Sequence, residues 1–294
     1  MIAVAAPAKI NLTLHVLGRR PDGYHDLESL VAFASLHDVV AVAAAHDLSL
    51  TVAGPNADAL QSTPLADNLV LRAARALAES AGLSAPTAAL KLDKHLPVAG
   101  GIGGGSADAA AALRALVRLW RLDMSEAALA KIGLSLGADL PVCLASRPMV
   151  MTGIGERLAA APALPPLGIL LVNPRVALPT AQVFAALNGG IGAPMPMAYA
   201  AGDAASLLTA LRLGRNDLEA PARQIAPVIG EVLATLAALP GTRLARMSGS
   251  GATCFALFDD EGAAQEALRS LRTGQDGWWC AAGRLIASRD DIAV

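Results

Sequence analysis

Alternating apolar and polar residues open the chain. In PAKINLTLHV (7–16), Ile10, Leu12, Leu14 and Val16 fall on one face, and Lys9, Asn11, Thr13 and His15 on the other. A period of two is that of a strand with one side on a core, so a half-buried strand over 8–16 is expected, its polar face wet. GRRPDGYHDLESL (18–30) concentrates Gly, Pro and Asp and predicts a turn. DVVAVAAA (38–45), DLSLTVAG (47–54) and TAALKLDKHLP (87–97) predict strands. DNLVLRAARALAESAG (67–82) changes to the helical period, with Asp67 or Asn68 to cap it and Gly82 to end it. A long helix over 106–121 follows, then another in MSEAALAKIGLSLG (124–137), capped by Ser125 and closed by Gly137. AAAPALPPLG (159–168) has no period and marks a boundary between halves 1–160 and 161–294. Beyond it the pattern predicts a strand in GILLVNP, helices near 180–188, 203–213 and 226–239, and a strand pair TRLARM and ATCFALF around MSGSG. A helix in EGAAQEALRSL and a strand in WWCAAGRLIAS complete it. Strands and helices mix without a regular βαβ beat, which predicts an α+β fold in both halves.

Composition narrows the function. The 294 residues are 54% hydrophobic and 16% charged, with a net charge of −2. That describes a packed globular protein with no positive field to draw nucleic acid or a lipid surface. No run of about 20 bulky apolar residues offers a membrane span, and the first residues lack a basic region, so a cytoplasmic protein is expected. Cys143, Cys254 and Cys280 are far apart in apolar surroundings and are expected to be buried free thiols. Lysine occurs at Lys9, Lys91, Lys94 and Lys131 alone, so Lys9 on a polar strand face draws notice.

The stretch PVAGGIGGGSADAAAALRALVRLW (97–120) places five glycines in the six positions from Gly100 to Gly105, directly before a helix. Glycine lets the backbone curl around an anion, and a helix N-terminus offers unpaired N–H groups, so the loop reads as a phosphate cradle. The P-loop pattern G-x-x-x-x-G-K-S/T fails because Ser106 follows Gly105. The dinucleotide pattern fails too: Asp123 lies at about the right distance but follows a helix.

The loop instead resembles the nucleotide loop of the superfamily of galactokinase, homoserine kinase, mevalonate kinase and phosphomevalonate kinase, the GHMP kinases. Ile102 stands for a usual leucine and Gly104–Gly105 for a usual serine pair. The glycine pair, with PAKINLTLHVLGRRPDGYHDLESL (7–30), GLSLGADLPVCL (133–144) and MSGSGATCFALF (247–258), resembles the branch acting on a cytidine diphosphate-linked methylerythritol. DNLVLRAA (67–74), VNPRVALPTAQVF (172–184) and RNDLE (215–219) are smaller echoes, and the motifs span the chain in order.

The resemblance implies a two-domain α+β kinase with its site in the interdomain cleft, using ATP and Mg²⁺. It implies that Pro97, Val98 and Ala99 lead into an ATP loop of Gly100, Gly101, Ile102, Gly103, Gly104 and Gly105, with Ser106 and Ala107 opening the helix. Asn68 would approach the adenine, although helix capping is the stronger reading. Lys9 would stabilise the developing alkoxide and Asp139 would take the hydroxyl proton; an N-cap role for Asp139, before Pro141, stands equally open. Tyr24 would stack on the cytosine, His25 would bond its edge and Phe184 would close the other side, unless Phe184 is simply core. Asn11 and Thr180 would contact the diphosphate or the erythritol, and Ser248 and Gly249 would shape the pocket. No acidic cluster has metal-ligand spacing, so Mg²⁺ would be held by phosphates and water, with Ser106 in reach. The substrate would be a small molecule, and a monomer or weak homodimer is expected. Two alternatives remain: a kinase for another small alcohol, and a nucleotide-binding protein without catalysis. GGIGAPMPMAYAAGD (189–203) reads as a mobile loop near the substrate or as an insertion.

Overall fold

The structure, a computed structural model, describes residues 1–61, 64–187, 203–272 and 277–293. Residues 189–202 of the aperiodic stretch therefore lie outside the described residues. In chain order the elements are β1 (Ile2–Asn11), β2 (His15–Arg19), β3 (His25–Ala43), β4 (Leu48–Ala53), α1 (Leu69–Ser80) and β5 (Ala88–Asp93). Next come α2 (Gly104–Leu119), α3 (Glu126–Leu136), α4 (Leu140–Ala145), β6 (Met149–Gly153) and β7 (Arg157–Ala160). After 161 follow β8 (Gly168–Asn173), α5 (Thr180–Ala185), α6 (Ala204–Leu213), α7 (Glu219–Ile225), α8 (Val228–Ala238), β9 (Leu244–Met247), β10 (Cys254–Phe258), α9 (Glu261–Arg272) and β11 (Trp279–Ile286).

The α+β class holds. One sheet runs β4-β5-β3-β11-β8-β10-β9, with β1, β2 and β6 also paired to β3 and β7 to β6. Its pairs are antiparallel except β4 with β5. β3 is the spine. The expected turn over 18–30 is shorter than its sequence: it closes around Gly23 at φ +90, with Arg20 N bonded to Tyr24 O, and β3 already begins at His25. Past Asp26, the apolar residues Leu27, Leu30 and Val31 carry the strand on into the core.

The 8–16 strand departs from expectation in two ways. It begins at Ile2 and breaks after Asn11, resuming as β2 at His15. Its polar face is also dry: Lys9, Asn11, Thr13 and His15 are each no more than 3% exposed. Segments distant in sequence cover them. Gly103 lies on the Lys9 stem, Ser248 on Asn11, Gly214 on Thr13 and Arg215 on His15.

Two packed clusters flank a central one. The first joins β1, β3, β4 and β5 to α1, α2, α3 and α4. The second joins β8 and β10 to α7, α8 and α9. The central cluster sets Ile10 and Leu12 against Ile169, Phe255 and Leu211. α2 is buried nearly all round by Ala107, Ala109, Ala110, Ala111 and Ala112, whose small side chains let it run close across β1 and β3. Cys143 and Cys254 are buried free thiols, as expected; Cys280 is only partly buried.

Candidate active site

The glycine loop joins β5 to α2 at the edge of the central cluster. The helix begins at Gly104, two residues before the expected Ser106. Glycine's poor helix propensity hides those two positions from a sequence pattern. Gly103 precedes it in the left-handed conformation, φ +62. Gly101 has φ +74, and a Cβ there would lie 2.5 Å from Gly251 O and 2.6 Å from Ser248 O. No other residue type fits. The loop is thus a bare backbone cradle ending in the first-turn N–H groups of α2, which have no partner within a helix.

Residues from the other side of the chain fix the cradle. Ser248 Oγ donates to Gly101 O and accepts from Asn11 N, both at 3.1 Å. Thr253 N bonds to Gly100 O at 3.0 Å, and Asn173 Nδ2 donates to Thr253 Oγ1 at 2.8 Å. Lys9 N donates to Ile102 O at 2.9 Å. Asn216, from the RNDLE echo, donates to Met247 O and Gly249 O and so holds the second glycine loop. Gly249, at φ +56, would put a Cβ 2.7 Å from Gly101 O.

Lys9 Nζ donates to Asp139 Oδ2 and to Asn11 Oδ1, each at 2.9 Å. Asn11 Nδ2 in turn donates to Ser29 Oγ at 2.8 Å. Asp139 stands at the N-cap position of α4, yet its side chain makes no capping bond. Its carboxylate is spent on Lys9, which removes the capping alternative. Lys9 is buried and the Asp139 side chain is 38% exposed, so the pair has a fixed member and an open one.

Beneath the loop lies a buried group that the sequence pattern does not single out. Lys94 Nζ bridges Asp38 Oδ2 at 2.5 Å and Asp108 Oδ2 at 2.8 Å, and Asp38 Oδ1 accepts from the N–H groups of His95 and Leu96. Burial pushes the Asp108 carboxyl up to about 7 against the pull of Lys94. Burial alone would lower Lys94, but its two carboxylate partners outweigh that and raise it. The ammonium lies 3.2 Å from where a Gly104 Cβ would stand, close under the helix start. The one signal for it in the sequence is the scarcity of lysine.

In the turn before β3, Tyr24 is 61% exposed. The ring that meets Phe184 is His25, with centroids 5.0 Å apart and planes inclined 25°. Phe184 also packs on the second cluster, so its core role and its place beside His25 coexist. Burial, then the nearby Arg19 charge, lowers the His25 imidazole below its ordinary value. Thr180 Oγ1 lies 2.8 Å from Ser250 Oγ, tying α5 to the second glycine loop. Asn68 caps α1 through Val70 N, and Leu69 beside it lies against Gly105, so the starts of α1 and α2 adjoin. Among the described residues, no group of three or more His, Cys, Asp or Glu is placed to hold a metal ion. No helix among them is long and apolar enough to cross a membrane.

A glycine cradle at the start of a buried helix, with the Lys9–Asp139 pair directly beside it, suits a phosphoryl-transfer enzyme. The N-terminal domain family of GHMP kinases matches residues 68–147 and the C-terminal family 197–275. A 4-diphosphocytidyl-2-C-methyl-D-erythritol kinase from Rhodospirillum rubrum is 55% identical over 282 residues, covering 96% of this chain and 92% of the relative. One from Methylobacterium radiotolerans is 54% identical, covering 96% and 98%. A crystal structure of a 4-(cytidine 5'-diphospho)-2C-methyl-D-erythritol kinase superposes with a TM-score of 0.79 at 34% identity, covering 97% of this chain and 99% of the other. A homoserine kinase from Cytophaga hutchinsonii shares the fold at a TM-score of 0.72 and 18% identity, covering 98% and 95%. The chain belongs to the 4-diphosphocytidyl-2-C-methyl-D-erythritol kinase family.

Proposed function

We propose that the chain transfers the γ-phosphoryl of ATP to the 2-hydroxyl of 4-diphosphocytidyl-2-C-methyl-D-erythritol. The observation that carries this is the Lys9–Asp139 pair set beside the N-terminus of α2. Asp139 takes the hydroxyl proton as the oxygen attacks the γ-phosphorus; the bond to the β–γ bridging oxygen breaks and ADP leaves. Lys9 offsets charge on the attacking oxygen, and Asn11 holds the Lys9 ammonium in place. The amides of Gly103, Gly104, Gly105 and Ser106 cradle the donor phosphates. The bare backbone there fits that role, because side chains on Gly101 and Gly103 would collide with Gly251, Ser248 and Lys9. Mg²⁺ bound with the nucleotide would supply charge neutralisation, with the Ser106 hydroxyl as its protein contact. Tyr24, His25 and Phe184 read the cytosine, while Thr180, Ser248 and Gly249 border the rest of the acceptor. Residues 1–160 are read as the ATP-binding kinase domain and 161–294 as the C-terminal GHMP kinase domain.

The test is an ADP-release assay with Mg²⁺-ATP, comparing the cytidyl erythritol with homoserine, mevalonate and galactose. Turnover with the first alone supports the reading. Turnover with another alcohol discards the roles of Tyr24, His25 and Phe184, and ATP binding without turnover of any discards catalysis.

A further inference from the structure

One buried arginine touches the three elements that build the transfer site. Arg114 lies on α2, ten residues after its first residue Gly104, and is 8% exposed. Its Nη1 donates to Cys143 O at 3.1 Å, Leu144 O at 3.0 Å and Ser146 Oγ at 3.3 Å. Those carbonyls lie in the last turn of α4, where helical partners run out. Its Nη2 reaches Ala5 O on β1 at 3.5 Å. α2 begins at the glycine loop, α4 begins directly after Asp139, and β1 carries Lys9. Cys143 N also bonds to Asp139 O, so the gripped turn connects to the Asp139 backbone by one helical step. Burial, then Arg289, draws the guanidinium down to about 10, which leaves it charged at neutral pH. Among the described residues Arg114 Nε has no hydrogen-bond partner, so the fork is turned wholly toward α4 and β1.

We propose that Arg114 is a positioning residue for phosphoryl transfer: it sets Asp139 in register with Lys9 and with the nucleotide loop. The inference rests on the reading of Asp139 as the base. A short helix held at one end by a distant arginine places its other end, and a displacement of about 1 Å at a reacting group can cost a hundredfold in rate.

The experiment is a double-mutant cycle of Arg114→Met and Asp139→Asn, with melting curves to choose a temperature at which every variant is folded. Arg114→Met is expected to lower kcat roughly ten- to a hundredfold with KM for ATP and for the cytidyl substrate nearly unchanged. In the Asp139→Asn background the same substitution is expected to leave the single-turnover rate unchanged, because the group it positions is gone. A kcat within about threefold of wild type overturns the proposal, as does an equal rate loss in both backgrounds. Asp139→Asn alone, if it keeps wild-type turnover, sinks the base reading instead, so the two failures are distinct. Should Arg114→Met not fold, Arg114→Lys runs through the same cycle. Its ammonium can meet the α4 carbonyls but lacks the second nitrogen that reaches Ala5 O on β1, so a smaller loss, again confined to the Asp139 background, is expected.

Discussion

Lys9 Nζ and Asp139 Oδ2 lie 2.9 Å apart although 130 residues separate them in the chain. The lysine is held by Asn11 and the carboxylate keeps an exposed side, so the aspartate can meet a hydroxyl without losing its partner. Asp139→Asn keeps the shape and removes the basic oxygen. Turnover is expected to fall about 10²- to 10⁴-fold while calorimetry still detects ATP and substrate binding. Activity within about tenfold of wild type would remove Asp139 from this role.

Tyr24 contributes almost nothing to the core, so Tyr24→Ala should melt like the wild type. If its ring stacks on the cytosine, KM for the cytidyl substrate rises about five- to a hundredfold, the range of a lost base–aromatic stack, with kcat little changed. An unchanged KM would place the base elsewhere.

Gly101 and Gly105 make a matched pair of tests. Gly101→Ala forces a left-handed φ on alanine and drives Cβ into Gly251 O. A loss of about 1–3 kcal/mol in urea unfolding and weaker ATP binding are expected. A Cβ on Gly105 meets only Leu69 Cδ1, at 3.4 Å. Gly105→Ala should therefore keep wild-type stability, gaining helix propensity.

Lys94 is the cation between two buried carboxylates, and removing it leaves them uncompensated. Lys94→Met should cost about 3–5 kcal/mol in the same unfolding assay. Adding Asp108→Asn should return part of it; no recovery would mean that packing, not charge, sets the cost.

His15 titrates against the native state. Burial first, then Arg215, lowers its imidazole below the usual value of 6.5, with Asp217 and Glu28 pulling the other way. Its Nε2 accepts from Arg215 N, and Nδ1 stands 3.6 Å from Glu28 Oε1. As pH falls below 6.5 the unfolded chain takes up a proton that the native state resists, so this group's share of stability is lost on acidification. The slope is up to about 1.4 kcal/mol per pH unit and stops at the folded pKa. Melting from pH 8 to 5 should show a flatter slope for His15→Gln; equal slopes would assign the loss to other groups.

What was legible in the sequence is what local residues decide. The glycine cluster, the capping residues Asn68 and Ser125, the period of α1 and the strand pair around MSGSG all act over a few positions, and the structure has them where the pattern places them. The dry polar face of β1 was not legible, because its cover comes from Gly103, Gly214, Arg215 and Ser248, far along the chain. β6 and β7 were missed because runs of five and four residues carry too few periods to read. Pro141 favours a helix start whether or not Asp139 caps it, so the sequence does not show that the carboxylate turns to Lys9 instead of capping α4. Arg114 gave no sign, its partners being carbonyl groups that no sequence pattern displays.

The place of β11 has a consequence for how the molecule is made. Ala34 and Phe33 of β3 pair with Leu285 and Ile286, and β8 pairs with Trp279 to Arg284, so the late strand is the seam between β3 and β8. A ribosome delivers β3 and β8 well before β11. Until residue 286 emerges the sheet is two pieces, joined only by the bonds of Ser248 and Thr253 to the nucleotide loop and by the central cluster. A nascent chain stalled before Trp279 would carry every residue of the proposed site and still lack the ladder that joins β3 to β8.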